Sequence, residues 1–144
     1  MIMKIHIYTD ASCKDTTMYP GGVLRTTKVG VIVVDSHILD IYYKRRDKFF
    51  TSNIAEKDAV LESIDYVKRK YNASKIIVHT DSQHILSFKV IKKLLKDNPN
   101  IIIKYVKGHC SNRRGLKYKF NCIADWISRN GNLTWRNYYY RHLL

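Results

Sequence analysis

A chain of 144 residues with 45% hydrophobic content can bury one core of ordinary size and is too apolar to be disordered. Lysine and arginine number 26 against 12 acids, a formal charge of +14, which points to a polyanionic partner and first of all to nucleic acid. The apolar runs are too short to cross a membrane, no segment forms a clear basic amphipathic helix, and the opening MIMKIHIYTD has no long apolar stretch of the signal-peptide kind, so a monomeric cytoplasmic protein away from membranes is expected. Cys13, Cys110 and Cys122 form no CxxC pair and match no zinc spacing; free thiols are expected.

In chain order, residues 3–10 (MKIHIYTD) alternate as a strand. Residues 13–28, rich in polar residues around Pro-Gly-Gly, read as a loop with an irregular start to the next strand. Residues 29–35 (VGVIVVD) and 38–46 (ILDIYYKRR) flank Ser36-His37 as a hairpin. Residues 54–70 place Val60, Ile64 and Val67 on one helical face, continued by Tyr71. Residues 75–81 (KIIVHTD) are a buried strand, and 83–97 a helix with Ile85, Phe88, Ile91 and Leu95 inward, stopped by Asp97-Asn98-Pro99-Asn100. A strand at 101–109, a basic loop at 111–119 and a short helix at 120–129 follow. The order β-β-β-α-β-α-β-α predicts an α/β fold: a five-stranded mixed sheet with the first three strands antiparallel, the first, fourth and fifth parallel, and helices on both faces. One domain is expected over 1–130, followed by a basic aromatic tail over 131–144 that either packs on the domain or contacts nucleic acid through Arg and Tyr.

Four acids stand out. Asp10 and Asp81 close the first and fourth strands, where ligands of parallel sheets collect. Singly, each acid has an ordinary reading. Asp81 can cap the next helix, Asp10 a turn in TDASCK, and Glu56 can reciprocate with Asn53 in a capping box, while Asp125 can be a solvated helix residue. Together, two strand-end aspartates and two helix-borne acids would converge and repel one another unless cations neutralise them. Oxygen-only ligands suit two Mg²⁺ ions, with Mn²⁺ as a substitute, and paired ions of this kind serve phosphodiester hydrolysis.

YTDAS (8–12), TSNIAE (51–56), VHTDSQHI (78–85), VKGHCSN (106–112) and NCIADWIS (121–128) resemble, in order, spacing and context, the type 1 ribonuclease H family over residues 3–129. That resemblance implies the ribonuclease H fold and metal-dependent endonucleolytic cleavage of the RNA strand of RNA–DNA hybrids. It further implies Asp10, Glu56, Asp81 and Asp125 as metal ligands and His109 as a mobile histidine assisting water activation or product release. Ser12, Asn53 and Gln83 match positions where the family contacts the minor groove, including ribose hydroxyls. The chain departs from the family in three places. Ser52 stands where an asparagine is commoner, the glycine-rich stretch after the first strand is replaced by KDTTMYPGGVLRTT, and the basic protrusion of some members is absent, with Lys89, Lys92, Lys93 and Lys96 as its potential substitutes. Two rival readings are a DNA or junction nuclease on the same fold and a catalytically silent nucleic-acid-binding module. The sequence names no protein partner.

Overall fold

The computed structural model describes residues 3–15, 24–47, 51–106 and 116–143. Five strands, β1 (Met3–Asp15), β2 (Leu24–Val34), β3 (His37–Asp47), β4 (Ala73–Thr80) and β5 (Ile101–Tyr105), form one sheet in the order β3-β2-β1-β4-β5. The pairs β1–β2 and β2–β3 are antiparallel, and β1–β4 and β4–β5 are parallel. The expected sheet is therefore the one observed. The crossovers run through α1 (Ser52–Lys70) and α2 (Lys89–Asp97), and α3 (Leu116–Asn130) follows β5.

Alternation along the strands sends side chains to two faces. On one face Ile5, Ile7, Ile32, Ile76 and Val78 are buried under Val60, Ile64 and Val67 of α1 and Ile91 of α2. Each such side chain contributes about 1.5–3 kcal/mol on burial. The other face buries Val29, Val31 and Val33 under Phe120, Ile123, Ala124 and Ile127 of α3. Helix α1 lies close to the sheet at Gly30, where an added Cβ would overlap Ser63 Oγ. Trp135, in the short α4 (Trp135–Tyr138), joins this second core, with Tyr139 packed beside it.

Several boundaries differ from expectation. The polar stretch 13–28 is in part strand, since the β1–β2 ladder continues to Asp15↔Leu24; Thr26 and Thr27 are β-branched and suit it. The hairpin turns at Asp35–Ser36, one residue earlier than expected, with both residues at positive φ (50° and 63°), as a type I′ turn demands. The cap of α1 is Thr51, whose side chain accepts from Ile54 N, and not Asn53, so Glu56 is not part of a capping box. The helix expected over 83–97 starts only at Lys89, after a 3-10 turn over Ile85–Ser87. Asp81 therefore caps no α-helix. Helix α3 begins at Leu116, inside the expected basic loop. Cys13 is a free thiol, as expected, but the buried Cys122 is disulfide-bonded. Sequence spacing carries no information on the Cα separation that decides such a bond. Among the described residues, no helix is long and apolar enough to cross a membrane.

Candidate active site

Register brings the first two acids together. In the parallel β1–β4 pair Tyr8 lies beside His79, so two residues further along each chain Asp10 and Asp81 emerge side by side. Just before them Tyr8 and His79 stack, ring centroids 4.2 Å apart, and His79 Nε2 meets His6 Nδ1 at 2.9 Å. Burial holds His79 neutral, at a pKa of about 4. Glu56 arrives from the first turns of α1 between the buried Ala55 and Ala59, small residues that let the helix approach. Its Oε1 accepts from Ala11 N at 3.3 Å.

The result is a cluster in which one carboxylate oxygen from each of Asp10, Glu56 and Asp81 lies within 4.8 Å of the others. Asp10 is 7% exposed. Burial, then the charges of Asp81 and Asp125, push its carboxyl up to about 7. Burial, then the charges of Asp10 and Asp81, push Glu56 up to about 10. Glu56 Oε2 is buried and accepts no hydrogen bond. An orphaned buried oxygen among repelling carboxyls is the environment a hard divalent cation would complete, and the all-oxygen donor set suits one.

Asp125 stands on α3, half-buried, with Oδ1 3.1 Å from Arg129 Nε on the next turn. Its charge is felt at Asp10, but it is not one of the three acids within 4.8 Å of one another. Ser12 lies two residues beyond Asp10 on the same face of β1, and its hydroxyl donates to the Ser128 carbonyl at 2.5 Å. Gln83 is exposed just after β4, its Nε2 donating to Tyr105 Oη at 3.1 Å. Asn53 is exposed in the first turn of α1. His109 lies outside the described residues.

Ser128 was not singled out from the sequence. It is 1% exposed, and its hydroxyl lies 2.9 Å from Asp10 Oδ2, to which it donates, and 3.0 Å from the Asp125 carbonyl. It ties α3 to the acid on β1. The available signal was its position three residues after Asp125, one turn along the same helix face.

The sheet order and the two crossovers have known counterparts among solved structures. The prototype foamy virus protease–reverse transcriptase superposes with a TM-score of 0.70 at 20% identity over 90% of this chain, which spans 21% of that chain. The isolated foamy virus RNase H domain matches with a TM-score of 0.68 at 19% identity, covering 91% of this chain and 95% of that domain. This chain has the ribonuclease H fold. A type 1 RNase H with the type 2 active-site motif matches more distantly, with a TM-score of 0.55 at 12% identity over 91% of this chain and 72% of that one. No family model and no curated protein matches the sequence. On the ribonuclease H fold, then, the three clustered acids occupy the end of the central parallel strand pair, next to the first turns of α1.

Proposed function

We propose that this protein is a metal-dependent endonuclease that cleaves the RNA strand of RNA–DNA hybrids. The observation that carries the reading is the Asp10–Glu56–Asp81 cluster with its unpartnered Glu56 oxygen, set in a ribonuclease H fold of strongly basic charge. Asp10, Glu56, Asp81 and Asp125 would hold two Mg²⁺ ions, or Mn²⁺ in their place. Such ions, when bound, activate a water and neutralise the leaving oxygen of a phosphodiester. The chain does the rest. Ser128 fixes the orientation of Asp10, the Ala11 amide fixes Glu56, and lysines and arginines hold the nucleic-acid backbone. His109 assists water activation or product release, and Ser12, Asn53 and Gln83 contact the minor groove. The protein acts as a cytoplasmic monomer in this reading.

A broader nuclease is the second reading, favoured by one observation: Ser12 and Gln83 spend donors on Ser128 and Tyr105 and are not aimed at a ribose hydroxyl in advance. Incubating purified protein and Mg²⁺ with labelled hybrid, double-stranded RNA, double-stranded DNA and single strands separates the two. Cuts confined to the RNA of the hybrid are expected. Cuts in duplex DNA or the other substrates as well would favour the broader nuclease, and metal-independent binding without cleavage would favour a silent binding module. His109→Ala is expected to slow turnover without stopping it, and an unchanged rate would remove its role.

A further inference from the structure

Behind the acid cluster, where α3 ends over the sheet, lies a cavity of about 180 Å³ lined by Lys14, Arg25, Arg45, Ser128, Arg129 and Gly131, among others. Its cations come from three adjacent strands and one helix. Lys14 of β1 pairs in register with Arg25 of β2, and Thr27 of β2 pairs with Arg45 of β3. Lys14 continues the Asp10, Ser12 face of β1 by the two-residue alternation of a strand.

Like charges set side by side across a sheet are unfavourable, so their concentration here needs a reason. The C-terminus of α3 supplies part of it. Lys14 Nζ donates to the Arg129 carbonyl, and Arg45 Nη1 donates to the Gly131 carbonyl at 3.3 Å. That helix end offers only about half a negative charge. Arg129 is paired with Asp125, and Arg25 is in register with Asp47. Lys14 and Arg45 thus carry a surplus, and no carboxylate among the described residues lines the cavity. A lysine has three donors and an arginine five, so each keeps donors after its carbonyl is served.

Ser128 is the shared wall. It lines the cavity and donates to Asp10 Oδ2 at 2.9 Å. Lys14 lies four residue steps along β1 from Asp10, about 13 Å at roughly 3.3 Å per residue. A duplex strand rises about 3.4 Å per nucleotide, so a phosphate a few nucleotides from the one at the acids falls at this distance.

We propose that the cavity seats a backbone phosphate of the bound nucleic acid, a few nucleotides from the phosphodiester presented to Asp10, Glu56 and Asp81. This rests on the nuclease reading above and adds to it a second anchoring point, on the α3 side of the sheet.

The test is fluorescence anisotropy of a short labelled RNA–DNA hybrid in EDTA, where binding is read without cleavage, across a salt series. The variant Lys14→Gln/Arg45→Gln removes two charges while keeping a donor for each α3 carbonyl. Lys68→Gln/Lys75→Gln removes two exposed charges from the opposite end of the molecule. The cavity pair is expected to weaken binding about tenfold and to lower the salt slope by about one phosphate contact; the distant pair is expected to do neither. Lys14→Arg/Arg45→Lys, which keeps both charges, should bind as the parent does. If the double Gln variant does not fold, as judged by its melting curve, Lys14→Gln alone should still reproduce the loss in part. A parent that binds hybrid while the cavity variants bind equally well, or lose no more than the distant pair, overturns the phosphate site and leaves the nuclease reading standing. A parent that binds no nucleic acid in any form overturns both.

Discussion

A lone carboxylate and a cluster of three at opposite ends of α1 show how differently one chemistry can be used. At the C-terminal end, Asp40 Oδ2 accepts from Tyr66 Oη (2.6 Å), Lys70 Nζ (2.7 Å) and Tyr71 Oη (2.8 Å). Burial works against the charge, but these donors outweigh it and hold the carboxyl down at about 2. At the N-terminal end, Asp10, Glu56 and Asp81 crowd together, and burial and mutual charge hold Asp10 and Glu56 above the usual carboxylate range. Asp40 stabilises the fold by pinning α1 to β3. The acid cluster costs the fold stability until something positive joins it. Local rules are broken where function is expected to reside.

The comparison can be broken most sharply at Asp10. Asp10→Asn and Asp81→Asn should each lower hybrid cleavage by about a thousandfold or more, since metal charge stabilisation is worth several kcal/mol and each 1.4 kcal/mol is tenfold. The same Asp10→Asn should raise the melting temperature of metal-free protein at pH 8, because it removes a repelling charge. Retained cleavage in either variant would sink the assignment. Ser128→Ala should weaken the apparent Mg²⁺ affinity about 10–100-fold, the usual cost of losing a partner behind a ligand. Equal loss at every Mg²⁺ concentration, with no shift in the metal midpoint, would make Ser128 a packing residue.

Proton linkage sharpens the contrast. Asp10 and Glu56 bind protons more tightly folded than unfolded, so their contribution is present below the unfolded values near 4 and is lost as pH rises through about 7 and about 10. Metal-free protein should therefore melt lower at pH 9 than at pH 6, and saturating Mg²⁺ should restore more stability at the higher pH. A metal-free profile that rises over this range would contradict the cluster's electrostatics. Asp40 has the opposite sign: its contribution is present above the unfolded value near 3.8 and is lost as pH falls through about 2. Asp40→Asn should leave cleavage unchanged and cost about 1 kcal/mol, a fall of roughly 3–5 °C in melting temperature.

Strand order, helix faces and the acids at strand ends were legible because hydrophobic period and the positions of Asp10, Glu56 and Asp81 are local properties of the sequence. Less legible was anything decided by pairing. Thr26 and Thr27 looked like loop and are strand because the β1–β2 ladder runs on. Asp81 looked like a cap, but the chain first makes a 3-10 turn and the helix starts at Lys89. Asn53 lost its capping role to Thr51, two residues earlier. Ser128 was invisible as a partner of Asp10 because nothing in a sequence says which turn of α3 faces which residue of β1.

The parallel pairing of β1 with β4 has a consequence for how the molecule comes into being. The β1–β2–β3 meander is made of neighbours and can form early, whereas His6 and His79 meet only across 73 residues of chain. Closing so long a loop costs entropy before any contact repays it, so this step should dominate the folding time. Asp10 and Asp81 become neighbours in that same step. On the proposed reading, a chain still emerging during synthesis carries basic surface able to touch RNA but no assembled acid cluster, and it becomes able to cut only once β4 has docked.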